Sequence, residues 1–144
     1  MECAGHFALI LRMSGFDALA VPGISKEEVV LIVEGDEGSI SIASAPVFGD
    51  EIDLGALSYG EALLKRFNNG ELSKKIAAVT PGIGAFHTRF GIVSSLFFDK
   101  RRNRMRSKQA GRGDGTVMRF NRLRAVIVRS SLPRVRASLD TTRE

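Results

Sequence analysis

The chain has few of the residues from which common functional sites are built. It contains no tryptophan, one tyrosine, two histidines and one cysteine among 144 residues. The single cysteine, Cys3, excludes an intramolecular disulfide, and the two histidines lack the paired spacing of a transition-metal site. The sequence therefore predicts no metal site and no cofactor.

Long apolar runs are also missing. No stretch reaches the ~20 apolar residues that a membrane-spanning helix needs. The apolar residues 7–11 are followed by Arg12 and lack a basic segment before them, which argues against a signal peptide. We therefore expect a soluble, cytoplasmic protein with no membrane partner. The 44% apolar fraction is that of an ordinary globular protein and predicts a single domain over residues 1–132, followed by a flexible basic tail over 133–144.

Charge is abundant and is sorted by position. Residues 1–61 contain 11 acidic and 2 basic side chains, whereas residues 62–144 contain 5 acidic and 19 basic ones. A basic surface of this kind attracts polyanions. The sorting therefore indicates that the second half of the chain binds an acidic partner.

The first half predicts a hairpin. Residues 6–13 form a short apolar run whose periodicity fits a buried strand or a short helix equally well. Ser25 and Glu28 have the spacing of a helix-capping box, but the β-branched residues that follow favour a strand. We expect residues 28–34 to pair with residues 39–45, because the second segment alternates with period two and glycine-rich turn residues lie between them.

The second half predicts two helices and a longer hairpin. Ser58 is expected to cap a helix that Asn68, Asn69 and Gly70 end, and the apolar spacing over 71–79 predicts a second helix. Residues 92–106 and 116–129 are expected to form a hairpin whose tip, residues 107–115, is a mobile loop. The fold class is then α+β, a small antiparallel sheet of four to five strands with one or two short helices and a projecting basic β-hairpin.

The basic hairpin predicts a nucleic-acid interface. From residue 89 onward arginine outnumbers lysine 13 to 2, and guanidinium groups pair with phosphates in a forked geometry. If the strand continues past residue 100, the cations at alternate positions share one face. The candidate contact residues are Lys100, Arg101, Arg102, Arg104, Arg106, Lys108, Arg112, Arg119, Arg122 and Arg124. The favoured function is non-catalytic binding of RNA, or less favourably DNA, through the phosphate backbone.

Three alternatives compete with that interpretation. The arginines can instead dock on the acidic half of the same chain or on an acidic partner protein. A homo-oligomer, such as a phage or viral structural subunit, would join the acidic half of one copy, around Asp50–Asp53, to the basic arm of the next. A small ribonuclease or toxin would use His87, beside Arg89, as a general acid or base. Overall the composition favours a binding protein over an enzyme.

Overall fold

A computed structural model describes residues 5–131 as one six-stranded sheet with helices on both faces. The elements are α1 (His6–Met13), β1 (Val29–Glu34), β2 (Ser39–Ser44), α2 (Asp50–Leu54), α3 (Ala56–Phe67), β3 (Ile76–Pro81), a 3₁₀ helix (Ile83–Phe86), β4 (Ile92–Asp99), β5 (Arg104–Arg112), α4 (Asp114–Phe120) and β6 (Leu123–Arg129). The predicted tail, residues 133–144, lies outside the described residues.

The strand order is β2-β1-β6-β3-β4-β5, in which β1 and β6 are parallel and the other neighbours are antiparallel. The predicted fold class, an antiparallel sheet of four to five strands, is therefore wrong. The sheet has a sixth strand, and its parallel pair joins segments that lie far apart in sequence. Within the described part of the chain, no helix has the length and apolar character that crossing a membrane requires.

The first predicted hairpin is confirmed. Strands β1 and β2 pair antiparallel from Val29 opposite Ser44 to Glu34 opposite Ser39. The Ala45 amide also donates to the Glu28 carbonyl at 2.8 Å, which extends the pairing to the predicted limits. Residues 6–13, for which the sequence left strand and helix open, form the helix α1. The hairpin follows from local sequence, since alternation with period two and turn residues act over a few positions.

The predicted helix over 71–79 is wrong, because much of it belongs to strand β3. All six residues of β3 are buried, and the strand lies between β6 and β4 near the middle of the sheet. A strand covered on both faces has no polar side, so its apolar residues do not show period two. Helix α3 does end at Phe67, before Asn68, as predicted. However, it begins at Ala56, and Ser58 lies inside its first turn.

The second predicted hairpin has the wrong partners. Strand β4 turns back at residues 100–103, with Asn103 at a φ of 47°, and pairs with β5. The supposed mobile tip over 107–115 is therefore largely edge strand, and it continues into α4. Strand β6 lies between β1 and β3 instead of beside β4. Asparagine tolerates a positive φ better than most residues, which allows the early turn.

The sheet has an apolar core on each face. Helices α1 and α4 cover one face, where Phe7, Ile10 and Met118 pack against residues of β1, β3 and β6. Helix α3 covers the other, where Leu63 and Leu64 are fully buried. A β-carbon at Gly60 of α3 would lie 2.5 Å from Leu96 of β4. This close approach of helix and sheet fixes how α3 sits across the strands.

Candidate functional site

One end of the sheet gathers charged and aromatic side chains. Strands β1 and β6 begin there and β3 ends there, because β1 is parallel to β6 and β3 is antiparallel to it. Glu28 precedes β1, Arg124 lies at the start of β6, and Arg119 projects from α4. The register of β1 and β6 shifts between Val29 and Val30. This irregularity lies beside Arg124, whose side chain joins the cluster.

A single carboxylate joins the two arginines. Glu28 lies 3.0 Å from the Arg119 guanidinium and 3.2 Å from that of Arg124. The side chains of Arg119 and Arg124 are only 5% and 13% exposed, whereas that of Glu28 is 42% exposed. Two nearly buried cations therefore share one partly solvated anion. We call Glu28, Arg119 and Arg124 the arginine–glutamate cluster.

Aromatic rings cover both guanidinium groups. The ring centre of Phe86 lies 3.3 Å from the central carbon of the Arg119 guanidinium, and that of Tyr59 lies 4.2 Å from the corresponding carbon of Arg124. Arg124 also donates to the Asp53 carbonyl at 3.2 Å, and the Thr80 hydroxyl donates to the Arg124 carbonyl at 2.7 Å. These contacts tie α2, α3, β3 and β6 to one end of the sheet.

Burial changes the acid–base properties of this cluster. Desolvation lowers the pKa of Arg119 to about 10, against the opposing effect of Glu28. Burial likewise raises the pKa of Tyr59, while the positive charge of Arg124 opposes the shift. Both groups thus keep their ordinary charge at neutral pH. Within residues 5–131 the Nε atoms of Arg119 and Arg124 are buried and have no hydrogen-bond partner. The cluster thus holds two nearly buried cations beside one carboxylate at this end of the sheet.

A groove of about 920 Å³ opens on the face of the sheet that carries α1 and α4. Its walls are largely apolar and include Phe16, Ile42 and Val117. Polar side chains, among them Asp114 and Asn121 of α4, interrupt the apolar lining. Helix α4 therefore contributes to the groove and, through Arg119, to the arginine–glutamate cluster.

Beside the cluster lies a set of exposed apolar side chains, which we call the apolar corner. It consists of Ile83, Phe86, Phe90, Ile92, Val117 and Phe120, which are 39%, 51%, 80%, 49%, 57% and 73% exposed. They come from the 3₁₀ helix, the loop before β4, the start of β4, and α4. The segments that carry them are joined, because Arg119 of α4 stacks on Phe86 and Thr116 of α4 accepts a hydrogen bond from the Gly91 amide. Scattered exposed apolar residues are normal on a protein surface, whereas several on neighbouring segments are typical of an interface.

The structure separates the predicted contact residues into two groups. Arg119 and Arg124 are turned inward to Glu28, and the Arg122 guanidinium donates to the Lys26 carbonyl. Arg129, on the same strand as Arg124, donates to both oxygens of Glu34 at 2.7 and 2.8 Å. The alternative that arginines dock on the acidic half of the same chain is confirmed for Arg119, Arg124 and Arg129.

The other predicted contacts lie at the turn between β4 and β5 and along β5. Lys100, Arg101 and Arg102 occupy the turn, whereas Arg104, Arg106, Lys108 and Arg112 lie on the edge strand. The continuous cationic face expected from Lys100 to Lys108 is broken, because the chain reverses between its ends. Arg102 and Arg106 pair with Asp99 at 3.1 and 3.5 Å, and the Lys108 ammonium lies 6.0 Å from the ring centre of Phe97.

The remaining candidates form no reactive site. His87 is exposed at the end of the 3₁₀ helix. Asp53 uses its carboxylate to accept hydrogen bonds from the amides of Phe48 and Gly49 at 3.2–3.3 Å. In the described ranges, no three His, Cys, Asp or Glu side chains form a group suited to a metal ion.

Sequence reasoning missed Glu28, Tyr59 and Phe86 as partners of the arginines. One local signal was available for Arg124. It is flanked by the apolar residues Leu123 and Ala125, a pattern that is typical of a buried strand. The pairing itself is non-local, because Glu28 and Arg124 meet only when β6 lies beside β1.

Comparison with known proteins identifies the class. Residues 1–130 match the family model described as aldehyde ferredoxin oxidoreductase, N-terminal domain. The chain therefore belongs to this family of redox enzyme domains.

A solved structure shares the fold. It is titled "Active site complex BamBC of Benzoyl Coenzyme A reductase in complex with 1,5 Dienoyl-CoA", and it matches with 25% identity and a TM-score of 0.62. The match covers 86% of this chain and 16% of that chain, so this chain spans about a sixth of the relative's length. A search of curated proteins finds no match.

The family overturns the predicted function. The chain is a domain of a redox enzyme family, so the predicted nucleic-acid-binding function is wrong. The two alternative functions, an assembly subunit and a small ribonuclease, are wrong for the same reason. The structure supplies a physical reason, since three of the arginines that suggested a phosphate-binding surface pair with Glu28 and Glu34 instead.

Proposed function

We propose that this chain works as the N-terminal part of a larger redox enzyme of the aldehyde ferredoxin oxidoreductase type. The observation that carries this proposal is the family match over residues 1–130. The shared fold with one part of a much longer benzoyl-CoA reductase chain supports it. In such an enzyme the present sheet is one domain, and further domains supply the active site.

The reaction in the family's name, oxidation of an aldehyde with ferredoxin as electron acceptor, indicates what the complete enzyme must contain. When an aldehyde takes up water and becomes a carboxylic acid, two protons and two electrons leave, and ferredoxin receives the electrons on an iron–sulfur cluster. Such electron transfer relies on a cofactor, which the protein binds and orients.

The side chains described here do not fit a ligated redox metal. The part of the chain seen in the structure brings together no group of three metal-ligating side chains, and Cys3 lies outside it. We therefore assign this chain a role in holding the enzyme together and place no step of the reaction on its residues. A cytoplasmic location belongs to the same proposal and is supported by the low cysteine content.

The rigid sheet end suits a supporting role. The arginine–glutamate cluster links α4 on one face of the sheet to α3 on the other through Arg119, Glu28 and Arg124. Side chains locked by charge and aromatic contacts hold the neighbouring surface in one conformation. A preformed surface of this kind reduces the entropy cost of association.

Affinity purification of the tagged chain from its native host tests the proposal. The purified material should contain the remaining domains of an oxidoreductase and should reduce a one-electron viologen dye when an aldehyde is added. The 144-residue chain produced by itself should show no such activity. Purification of the chain from its host with no oxidoreductase polypeptide, or with bound nucleic acid in its place, would contradict the proposal.

A further inference from the structure

We propose that the apolar corner is the surface on which the remaining domains of the enzyme dock, and that the docking surface is apolar with carboxylates at its edge. This inference rests on the proposed function, because it names where the rest of that enzyme binds. Six large apolar side chains are exposed on segments that contact one another here, and Phe90 and Phe120 are the most exposed, at 80% and 73%. Aromatic residues are enriched among the residues that carry binding energy in protein interfaces.

The corner is held in place by hydrogen bonds between its segments. The Thr116 hydroxyl accepts from the Gly91 amide at 2.9 Å and donates to the Thr88 carbonyl at 2.7 Å. The Gly115 amide also donates to the Gly91 carbonyl at 2.9 Å. These bonds fasten the loop that carries Phe90 to the first turn of α4.

The spacing of the apolar residues places them on common sides of their helices. Val117 and Phe120 are three positions apart in α4, and Ile83 and Phe86 are three positions apart in the 3₁₀ helix. Residues at this spacing lie on the same side of either kind of helix. Phe86 rests in addition on the buried guanidinium of Arg119. The corner therefore presents an ordered surface to a partner.

Charge at the edge of the corner indicates what the partner carries. Arg89 is next to Phe90 in sequence, and Arg112 of β5 lies opposite Ile92 of β4. Both arginines are exposed, and neither has an ion-pair partner among residues 5–131. An apolar centre with arginines at the rim complements an apolar surface flanked by carboxylates.

The length of the relative indicates which occupant to expect. This chain corresponds to only 16% of the benzoyl-CoA reductase chain with which it shares its fold. In an enzyme of comparable size, about five sixths of the polypeptide remains to be packed against this domain or its neighbours. Packing of the remaining domains should gain most free energy at the apolar corner. The reason is that burial of aromatic side chains dominates interface energetics.

Site-specific cross-linking in the native host tests this placement. A photoreactive phenylalanine analogue is introduced at Phe90 or Phe120, and cross-linked peptide pairs are identified by mass spectrometry. This readout serves equally where the remaining domains lie in the same polypeptide and where they form a separate chain. A matched control carries the analogue at Ile40, which is 44% exposed on the opposite edge strand, β2.

The proposal predicts cross-links from Phe90 and Phe120 to peptides of an oxidoreductase, and few from Ile40. Phe90→Asp and Phe120→Asp should each lower the amount of associated oxidoreductase domain by at least about tenfold, as expected for a central interface residue. Ile40→Asp should leave it unchanged. Circular dichroism of each purified variant shows that the fold is retained.

Several results would overturn the inference. Cross-links that arise from Ile40 but not from the corner would show that the enzyme assembles through another surface, and the proposed function would stand. Cross-links from Phe90 or Phe120 to a second copy of this chain would show that the corner binds another copy instead. Binding to phosphatidylcholine–phosphatidylglycerol vesicles that is lost in Phe90→Asp or Phe120→Asp would show that it binds a membrane surface instead. Absence of any oxidoreductase peptide from every sample would contradict both this inference and the proposed function.

Discussion

The Arg119 guanidinium stacks on the ring of Phe86 at 3.3 Å while it forms an ion pair with Glu28 at 3.0 Å. Arg119 comes from α4 and Phe86 from the 3₁₀ helix after β3, so the contact joins two segments that are 33 positions apart. The buried Arg119 guanidinium thus contacts the face of the Phe86 ring and the Glu28 carboxylate at the same time. This arrangement makes Phe86 both a support for Arg119 and a member of the apolar corner.

Replacing Phe86 should therefore cost more stability than its exposure indicates. Phe86→Leu keeps an apolar side chain but removes the ring on Arg119, and we expect the free energy of unfolding to fall by about 1–2 kcal/mol, as for a partly desolvated cation–π contact. Urea denaturation measures the change. Phe90→Leu is the control, because Phe90 is more exposed and no cation of residues 5–131 stacks on its ring. It should alter stability by less than ~0.5 kcal/mol. Equal effects of the two substitutions would contradict a role for the ring on Arg119.

Removing the charge of Glu28 should destabilise the fold. Glu28→Gln leaves Arg119 and Arg124 without their shared anion, and loss of one partner of a fully buried ion pair costs about 3–5 kcal/mol. Because the Glu28 side chain is 42% exposed, solvent screening reduces the expected loss to about 1–3 kcal/mol. Chemical denaturation of Glu28→Gln, with Glu37→Gln in the exposed β1–β2 turn as control, measures it.

A double-mutant cycle separates this ion-pair effect from a general loss of packing. In an Arg119→Met background the effect of Glu28→Gln should be smaller than in the original chain, because one of the two cations is gone. If the effect of Glu28→Gln is the same in both backgrounds, Arg119 does not depend on Glu28 and the description of the cluster is wrong.

Gly115 should tolerate no side chain. A β-carbon there would lie 2.4 Å from the Ile92 carbonyl oxygen and 2.8 Å from that of Gly91. Both obstacles are backbone atoms, so Gly115→Ala must shift α4 or the start of β4, and we expect a loss of about 1–3 kcal/mol in thermal or urea unfolding. Gly84→Ala is the matched control, since no atom of residues 5–131 beyond Gly84 and its chain neighbours lies within 4 Å of its β-carbon position. A harmless Gly115→Ala variant would show that α4 and β4 are less closely packed than described.

The parts of the fold that could be predicted from the sequence are those set by local residues. The β1–β2 hairpin follows from alternation around a glycine-rich turn, and α3 ends where Asn68 and Gly70 interrupt it. Strand β3 could not be recognised in the same way. Its residues are buried on both faces, so its apolar residues fit a helical spacing as well as a strand.

The charge sorting shows why the candidate site could not be predicted. Acidic and basic halves indicated a basic surface for a polyanion, yet Glu28 precedes β1 and Glu34 ends it, while Arg124 and Arg129 lie at the two ends of β6. These strands are parallel neighbours, so carboxylates and guanidinium groups meet at both ends of the pair. A parallel pairing between segments more than 90 residues apart leaves no local sequence signal. Position in the sheet, not composition, decides which arginines face the protein interior.

A similar contact makes stability depend on pH at the other end of β1. Asp36, in the β1–β2 turn, accepts hydrogen bonds from the amide and the hydroxyl of Ser131, just after β6. These bonds lower the pKa of Asp36 below its ordinary value of 3.8. Because the folded-state pKa lies below the unfolded one, the contribution is present above pH 3.8 and is lost as the pH falls through the folded-state pKa.

We therefore expect Asp36→Asn to flatten the dependence of the urea midpoint on pH below about pH 4, since the asparagine does not titrate. Near neutral pH the variant should be less stable than the original chain, and the two should converge as the solution is acidified. Glu37→Gln removes a charge from the same turn without touching Ser131 and should leave the convergence intact. Parallel curves for Asp36→Asn and the original chain across the acid range would show that Ser131 does not hold the ionised form of Asp36.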